Sequence, residues 1–222
     1  GDTPDSGQPD AGAEPTRCSP ETDEECRLDV ELGYQPCRFD GHAPGDVPTL
    51  TPASAPSVAR DDIASATWTG DSWLIATTSG LILDGAGAEI ADRSGSEIIA
   101  ITAANGLIAW SRRTDRGLTV ELARSGGEIE EIFRIDMSDP ERAGGGVALE
   151  EDGILWVGVG VGGYAWNAID ENSLMGAILR VDVTTSPYII PADNPNAGHA
   201  TRSEELWAFG VRDPRACHTS DG

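Results

Sequence analysis

The chain has 222 residues, of which 38 are Asp or Glu and 15 are Lys or Arg, for a formal charge of −23. All of the cations are arginines, and so acidic a surface repels nucleic acid and anionic lipid, which proteins hold mainly through basic contacts. Nucleic-acid binding is therefore excluded as a primary role, and no apolar run approaches the ~18 residues of a membrane-spanning helix.

Residues 1–25 are rich in Asp, Pro, Gly and Glu and nearly free of large apolar side chains. Burial there cannot offset the entropy of ordering, so the segment reads as a disordered acidic tether. The opening Gly1-Asp2-Thr3-Pro4-Asp5 has no signal peptide and reads as a mature terminus. Its composition matches the polar tether after a bacterial lipoprotein cleavage site, so a lipid anchor upstream and an exported location (periplasmic, cell-surface or extracellular) are expected.

Residues 26–57 read as a Cys-containing segment followed by a Pro-rich linker. Leu28, Val30, Leu32, Tyr34 and Phe39 alternate in part, as in one cysteine-stapled hairpin, and His42 falls in the solvated loop after it. The prolines from Pro44 onward make a stiff, extended connection. Cys18, Cys26 and Cys37 lie close together, which in an exported chain favours disulfides over a metal site, since no His stands at zinc-ligand spacing. Pairing of Cys18 or Cys26 with Cys37 is expected. Cys217 either staples the tail to the rest or stays free.

From Val58 onward short β-prone runs alternate with Gly, Asp and Ser turns. Residues 65–69 and 72–78 flank Gly70-Asp71, and 80–83 and 89–91 flank Asp84-Gly85. Residues 98–102 and 107–111 flank Asn105-Gly106, and 118–123 and 129–135 flank Gly126-Gly127. Then come 146–149 and 154–160 around Asp152-Gly153, and finally 177–183 and 205–211. No segment sustains a 3.6-residue period with caps, so helix should be scarce. Turns at this spacing predict an all-β antiparallel meander, and four strands make one propeller blade of roughly 40–45 residues. Residues 58–222 hold three to four such blades, an incomplete set, so the chain reads as a piece of a longer protein. Trp68, Trp73, Trp110, Trp156 and Trp207 alternate with aliphatics and are expected in the inter-blade core.

Four phrases between residues 144 and 215 are more specific: "DGILWVGVGVGG", "NSLMGAILRVDV", "IIPADNP" and "ELWAFGVRDP". In order and spacing they resemble the soluble glucose/sorbosone dehydrogenase family of six-bladed β-propellers, whose catalytic members use pyrroloquinoline quinone (PQQ). The resemblance implies sugar oxidation with PQQ and calcium, the calcium being held mainly beyond these motifs.

Several positions depart from the family pattern. Ala143 stands where the resemblance places the histidine base, Val161 replaces the Asp of "GDGG", and Ala177 replaces the Lys of "LGKILRID". No acid or base takes over at any of the three. Arg212 matches the arginine that faces the cofactor, and its guanidinium suits a quinone carboxylate. Asp213 puts an anion where the family has Asn, beside a tri-acid cofactor. Both count as candidate cofactor residues, or else as a structural ion pair with each other. The glycines of Gly158-x-Gly160-x-Gly162-Gly163 are not a dinucleotide fingerprint, because no helix pattern follows. Tyr164 and Trp166 are candidates for an aromatic platform under a sugar ring, or for packing over the rim. His199, in the loop before "ELWAFGVRDP", is a weaker candidate. Two functions remain open: a PQQ-dependent aldose or sorbosone dehydrogenase, and a non-enzymatic exported propeller that binds a sugar, another small polar ligand or a surface partner.

Overall fold

The structure is a computed structural model that describes residues 62–124 and 128–217. The expected tether, cysteine-stapled hairpin, Pro-rich linker, Cys18, Cys26, Cys37, His42 and the Gly126-Gly127 turn lie outside the described residues.

Twelve strands follow one another: β1 (Ile63–Trp68), β2 (Trp73–Thr77), β3 (Leu81–Asp84), β4 (Glu89–Asp92), β5 (Glu97–Ala104), β6 (Leu107–Thr114), β7 (Gly117–Arg124), β8 (Ile129–Asp136), β9 (Gly144–Leu149), β10 (Ile154–Val159), β11 (Ala177–Asp182) and β12 (Leu206–Phe209). They form three four-stranded antiparallel sheets, each taking its strands in chain order. This is the blade meander that the turn spacing predicts, and short 3-10 turns such as Pro140–Arg142 and Ala165–Ile169 interrupt it.

The turns show why the chain reverses where it does. Asn105 and Gly106 both take positive φ, +47° and +77°, as the tight turn between β5 and β6 requires. Asp84 closes its own turn by accepting the Ala86 and Ala88 N–H groups at 2.9 and 2.8 Å.

β1, β5 and β9 are the first strands of the three sheets, and hydroxyls stitch them side by side. Ser65 Oγ accepts the Ile101 N–H at 3.2 Å, and Thr102 Oγ1 accepts the Leu149 N–H at 3.2 Å. Together with residues 215–217 they line a groove of about 330 Å³ walled by small side chains, among them Ser65, Thr67, Thr102 and Ala148. The first strands thus face a common hollow, and the chain after β12 returns to it.

Two apolar clusters cement the sheets. Leu74, Ala76, Ile82, Ile98, Ile101 and Trp110 join the first sheet to the second. Leu118, Val120 and Leu122 on β7 meet Leu155, Val157, Leu179 and Val181 across the second junction. Each such side chain is worth ~1.5–3 kcal/mol when fully buried. β7 alternates, so Glu121 turns toward the first junction instead. There its carboxylate accepts hydrogen bonds from Trp110 Nε1 at 2.8 Å, Arg93 Nε at 2.8 Å and Arg112 Nε at 3.1 Å.

The tryptophan expectation needs correction. Only Trp110 is fully buried, and Trp156 is partly so. Trp68, Trp73 and Trp207 remain 50%, 45% and 40% exposed. They occupy the first and third sheets, the two ends of the stack. Trp68 packs edge-on against Trp73, and Trp156 against Trp207, rather than each lying between two sheets.

Candidate functional site

The register of the third sheet brings four strand ends to one place. Gly144 at the start of β9 pairs with Val159 at the end of β10, Val159 pairs with Ala177, and Ala177 pairs with Phe209. The segments 137–143, 160–176 and 210–213 therefore converge at this end. Ala143, Val161, Ala177, Arg212 and Asp213, scattered over seventy residues of sequence, belong to this one cluster of strand ends.

Backbone hydrogen bonds lock the segments together. Gly160 N–H donates to Ala143 O at 2.7 Å, Gly162 N–H to Arg142 O at 3.1 Å, and Val161 N–H to Arg212 O at 3.0 Å. Gly176 N–H donates to Gly160 O at 2.9 Å, and its own carbonyl accepts from Gly210 and Val211. The approach at Gly160 leaves no room for a side chain, since a Cβ there would lie 2.0 Å from Arg142 O. This glycine serves close backbone contact, not phosphate binding.

Ala143 is buried, and its carbonyl is committed to Gly160, so it offers neither acid nor base. Arg212 is exposed. Ten of the eleven described arginines pair with a carboxylate, and Arg212 alone among the described residues does not. Asp213 does not pair with Arg212. Its carboxylate accepts the Gly144 N–H at 3.0 Å and pairs with Arg215 Nε at 2.9 Å. The hydrogen bond that Arg215 donates to Asp213, and the charge of that carboxylate, hold the Arg215 pKa above the ordinary value. Arg215 also donates to Glu141 O at 3.0 Å, which ties the tail to the turn before β9. The neutralised Asp213 therefore acts as a latch on that turn. Arg215 escaped the sequence reading, though its i+2 spacing from Asp213 was there to be seen.

Tyr164 and Trp166 lie on the loop between β10 and β11, and Trp166 is 75% exposed. The loop is braced from beneath, with Asn167 Nδ2 donating to Val161 O at 2.8 Å. It is braced from the side as well, by Arg202 paired with Glu171 at 2.7 Å and Ser203 Oγ donating to Asn172 O at 3.0 Å. His199 is exposed on the connection between β11 and β12, where its Nδ1 accepts the Thr201 N–H at 3.4 Å. No hydrogen bond or ion pair among the described residues joins it to Arg212, Tyr164 or Trp166. Cys217 lies by the axial groove as a free thiol whose pKa is pushed up by burial. No group of three or more His, Cys, Asp or Glu able to hold a metal ion occurs among the described residues.

A sequence model of the Glucose / Sorbosone dehydrogenase family matches residues 109–222, just over half of the chain. The chain belongs to that family. This glucose/sorbosone dehydrogenase relative is 32% identical over 107 residues to the HIPL2 protein of Arabidopsis thaliana, covering 40% of this chain and 15% of that protein. It is 30% identical over 107 residues to the HIPL1 protein of the same plant, with the same coverage of each. Among solved structures, the soluble aldose sugar dehydrogenase from Escherichia coli in its apo form superposes with a TM-score of 0.55 at 19% identity, over 69% of this chain and 52% of that one. A glucose dehydrogenase superposes equally well, with a TM-score of 0.55 at 18% identity, over 69% and 56% of the two chains. The chain thus spans about half the length of these solved structures and 15% of the plant proteins. The likeness places its three sheets within the fold of the sugar dehydrogenases. Among the described residues no helix is long and apolar enough to cross a membrane.

Proposed function

We propose that this end of the third sheet is a binding seat for an anionic quinone of the PQQ type, with Arg212 receiving one of its carboxylates. The observation that carries the reading is the free guanidinium. In a chain so rich in carboxylates every other described arginine is engaged, yet Arg212 stands unpaired and exposed beside the backbone-locked segments at this end of the sheet. The pairing of Asp213 with Arg215 supports the same reading, because it removes the repulsion that a bare carboxylate would exert on an anionic ligand. When bound, the quinone would supply the electron-accepting chemistry. Tyr164 and Trp166 offer a sugar two exposed aromatic faces on the neighbouring loop.

The residues present fit binding better than turnover. Ala143 leaves the position of the base without a titratable group, and Val161 and Ala177 add none. The chain therefore binds a quinone and a sugar, and by itself oxidises sugar slowly or not at all. Calcium enters this reading only through the resemblance. Location outside the cytosol is part of the same proposal.

The test is titration of the full chain with PQQ, with and without calcium, followed by dye reduction with several aldoses. Saturable binding is expected, and Arg212→Ala should weaken it by ten- to a hundredfold, since a charge-assisted hydrogen bond is worth roughly 1.5–3 kcal/mol. Absence of binding, or unchanged affinity in Arg212→Ala, would overturn the assignment. Rapid turnover would refute the statement that no base is supplied here.

A further inference from the structure

We propose that Met175 is an oxidation-sensitive joint of the loop that carries Tyr164 and Trp166, with its thioether the target of hydrogen peroxide or an organic hydroperoxide. The chain has two methionines, Met137 and Met175, and both converge on Gly162. A Cβ built on Gly162, whose φ is +59°, would lie 2.9 Å from Met137 Cγ and 2.9 Å from Met175 Sδ. The two side chains thus close on the glycine turn that follows β10 and fill the space a side chain would need.

Met175 does more than fill space. Its sulfur accepts a hydrogen bond from Asn167 Nδ2 at 3.4 Å, and the same amide donates to Val161 O at 2.8 Å. Asn167 lies in the 3-10 turn Ala165–Ile169, so this amide fastens the aromatic loop to the end of β10. Among the described residues the Met137 sulfur has no such tie. Both methionines are only partly buried, so a small oxidant reaches them from solvent.

In the reaction the sulfur lone pair attacks one peroxide oxygen, the O–O bond breaks, and the sulfur becomes a sulfoxide. Sulfur loses two electrons, and the peroxide is reduced to water or an alcohol. The new oxygen is added to a sulfur that already has close neighbours. Sδ fills the space that a Cβ on Gly162 would need, and the Asn167 amide sits at hydrogen-bond distance from the sulfur. A polar oxygen there displaces the amide or the glycine turn. Either shift releases the brace under Tyr164 and Trp166.

The inference stands apart from the quinone reading, since its readouts need neither cofactor nor activity. The full chain would be treated with hydrogen peroxide, the oxygen located by peptide mass mapping, and amide exchange followed across residues 163–176. Oxidation at Met175 is expected to speed exchange in that loop several-fold. Met175→Leu, which keeps the volume and cannot be oxidised, should abolish the response, and Met137→Leu should keep it. Failure of Met175 to oxidise under conditions that oxidise free methionine would overturn the proposal. So would unchanged exchange after stoichiometric oxidation, or an equal response in Met175→Leu.

Discussion

Replacing Glu121 by Gln removes one charge and no volume, and it should cost substantial stability. The carboxylate is the common acceptor for Trp110, Arg93 and Arg112, and it sits between two sheets. Removing one member of a buried ion pair costs ~3–5 kcal/mol, because the other charge is left without compensation. Here the arginine side chains keep 24% and 16% of their exposure, so water recovers part of the loss, and ~2–3 kcal/mol is the better figure. For a domain of this size that corresponds to a fall in Tm of roughly 5–10 °C. Acid provides a second check. Burial, the largest influence, pushes the Glu121 pKa up, but the hydrogen bond from Arg93 and the charge and hydrogen bond of Arg112 together hold it below 4.5. A carboxylate with a depressed folded pKa contributes its stability fully above the unfolded value and loses it as pH falls through the folded value. The gap between wild type and Glu121→Gln should therefore be complete at neutral pH and narrow below about pH 4.5. Urea and thermal melts of both proteins across that range measure it. A gap under about 0.5 kcal/mol at neutral pH, or one that does not shrink in acid, would refute the clamp.

Three further outcomes separate the parts of the candidate site. Gly160→Ala places a Cβ 2.0 Å from Arg142 O, and neither backbone can yield without breaking the Gly160–Ala143 hydrogen bond. A loss of more than ~3 kcal/mol in urea melts is expected, and a wild-type melt would show that the segments are not locked as described. Arg212→Ala should leave Tm within about a degree of wild type because no side chain depends on it, whereas Arg215→Ala should lower stability by ~0.5–1 kcal/mol, as fits a half-exposed pair. Equal effects of the two would contradict the different roles assigned to them. Trp166→Ala should also leave the melt unchanged, since the ring is 75% exposed, while weakening any sugar binding seen by titration.

The strand order was legible because turn chemistry is local. Asp71, Asp84, Asn105 and Asp152 each sit beside a reversal, and the expected strands end within two residues of those observed except at β6, expected to stop at residue 111 and observed to run to Thr114. Burial of the tryptophans was not legible, because period-two alternation says only that a residue faces one side of a sheet. Whether another sheet lies on that side is a property of the stack, so Trp110 is buried while Trp73, also on the second strand of its sheet, is not. The convergence of Ala143, Val161, Ala177, Arg212 and Asp213 came from the resemblance, and the register of the third sheet brings all five to one end. The partner of Asp213 could not be read, because Arg212 and Arg215 are both near in sequence and only the direction of the chain after β12 chooses between them. His199 illustrates the opposite error, a titratable residue close in sequence to the informative motifs but held on the outer connection of the sheet.

The contacts around Asp213 set how the candidate site keeps its shape. Charged or titratable groups are absent at three positions of the resemblance, yet the segments that would carry them remain pinned by hydrogen bonds between backbone atoms at Gly160, Gly162, Gly176 and Gly210. At Gly160 and Gly176 the close approach leaves no room for a Cβ, and because the bonds run between backbone atoms, changing Ala143, Val161 or Ala177 to another small residue leaves them intact. Asp213 adds a side-chain tie from the tail to Gly144, and it pairs with Arg215 rather than Arg212. Had Asp213 paired with Arg212, the site would have lost its free cation and gained only a surface ion pair worth ~0–1 kcal/mol. Because the latch uses the other arginine, geometry and charge at this end of the sheet are set by different residues. On the proposed reading, position 143 can do without a base while Arg212 stays free to receive an anion.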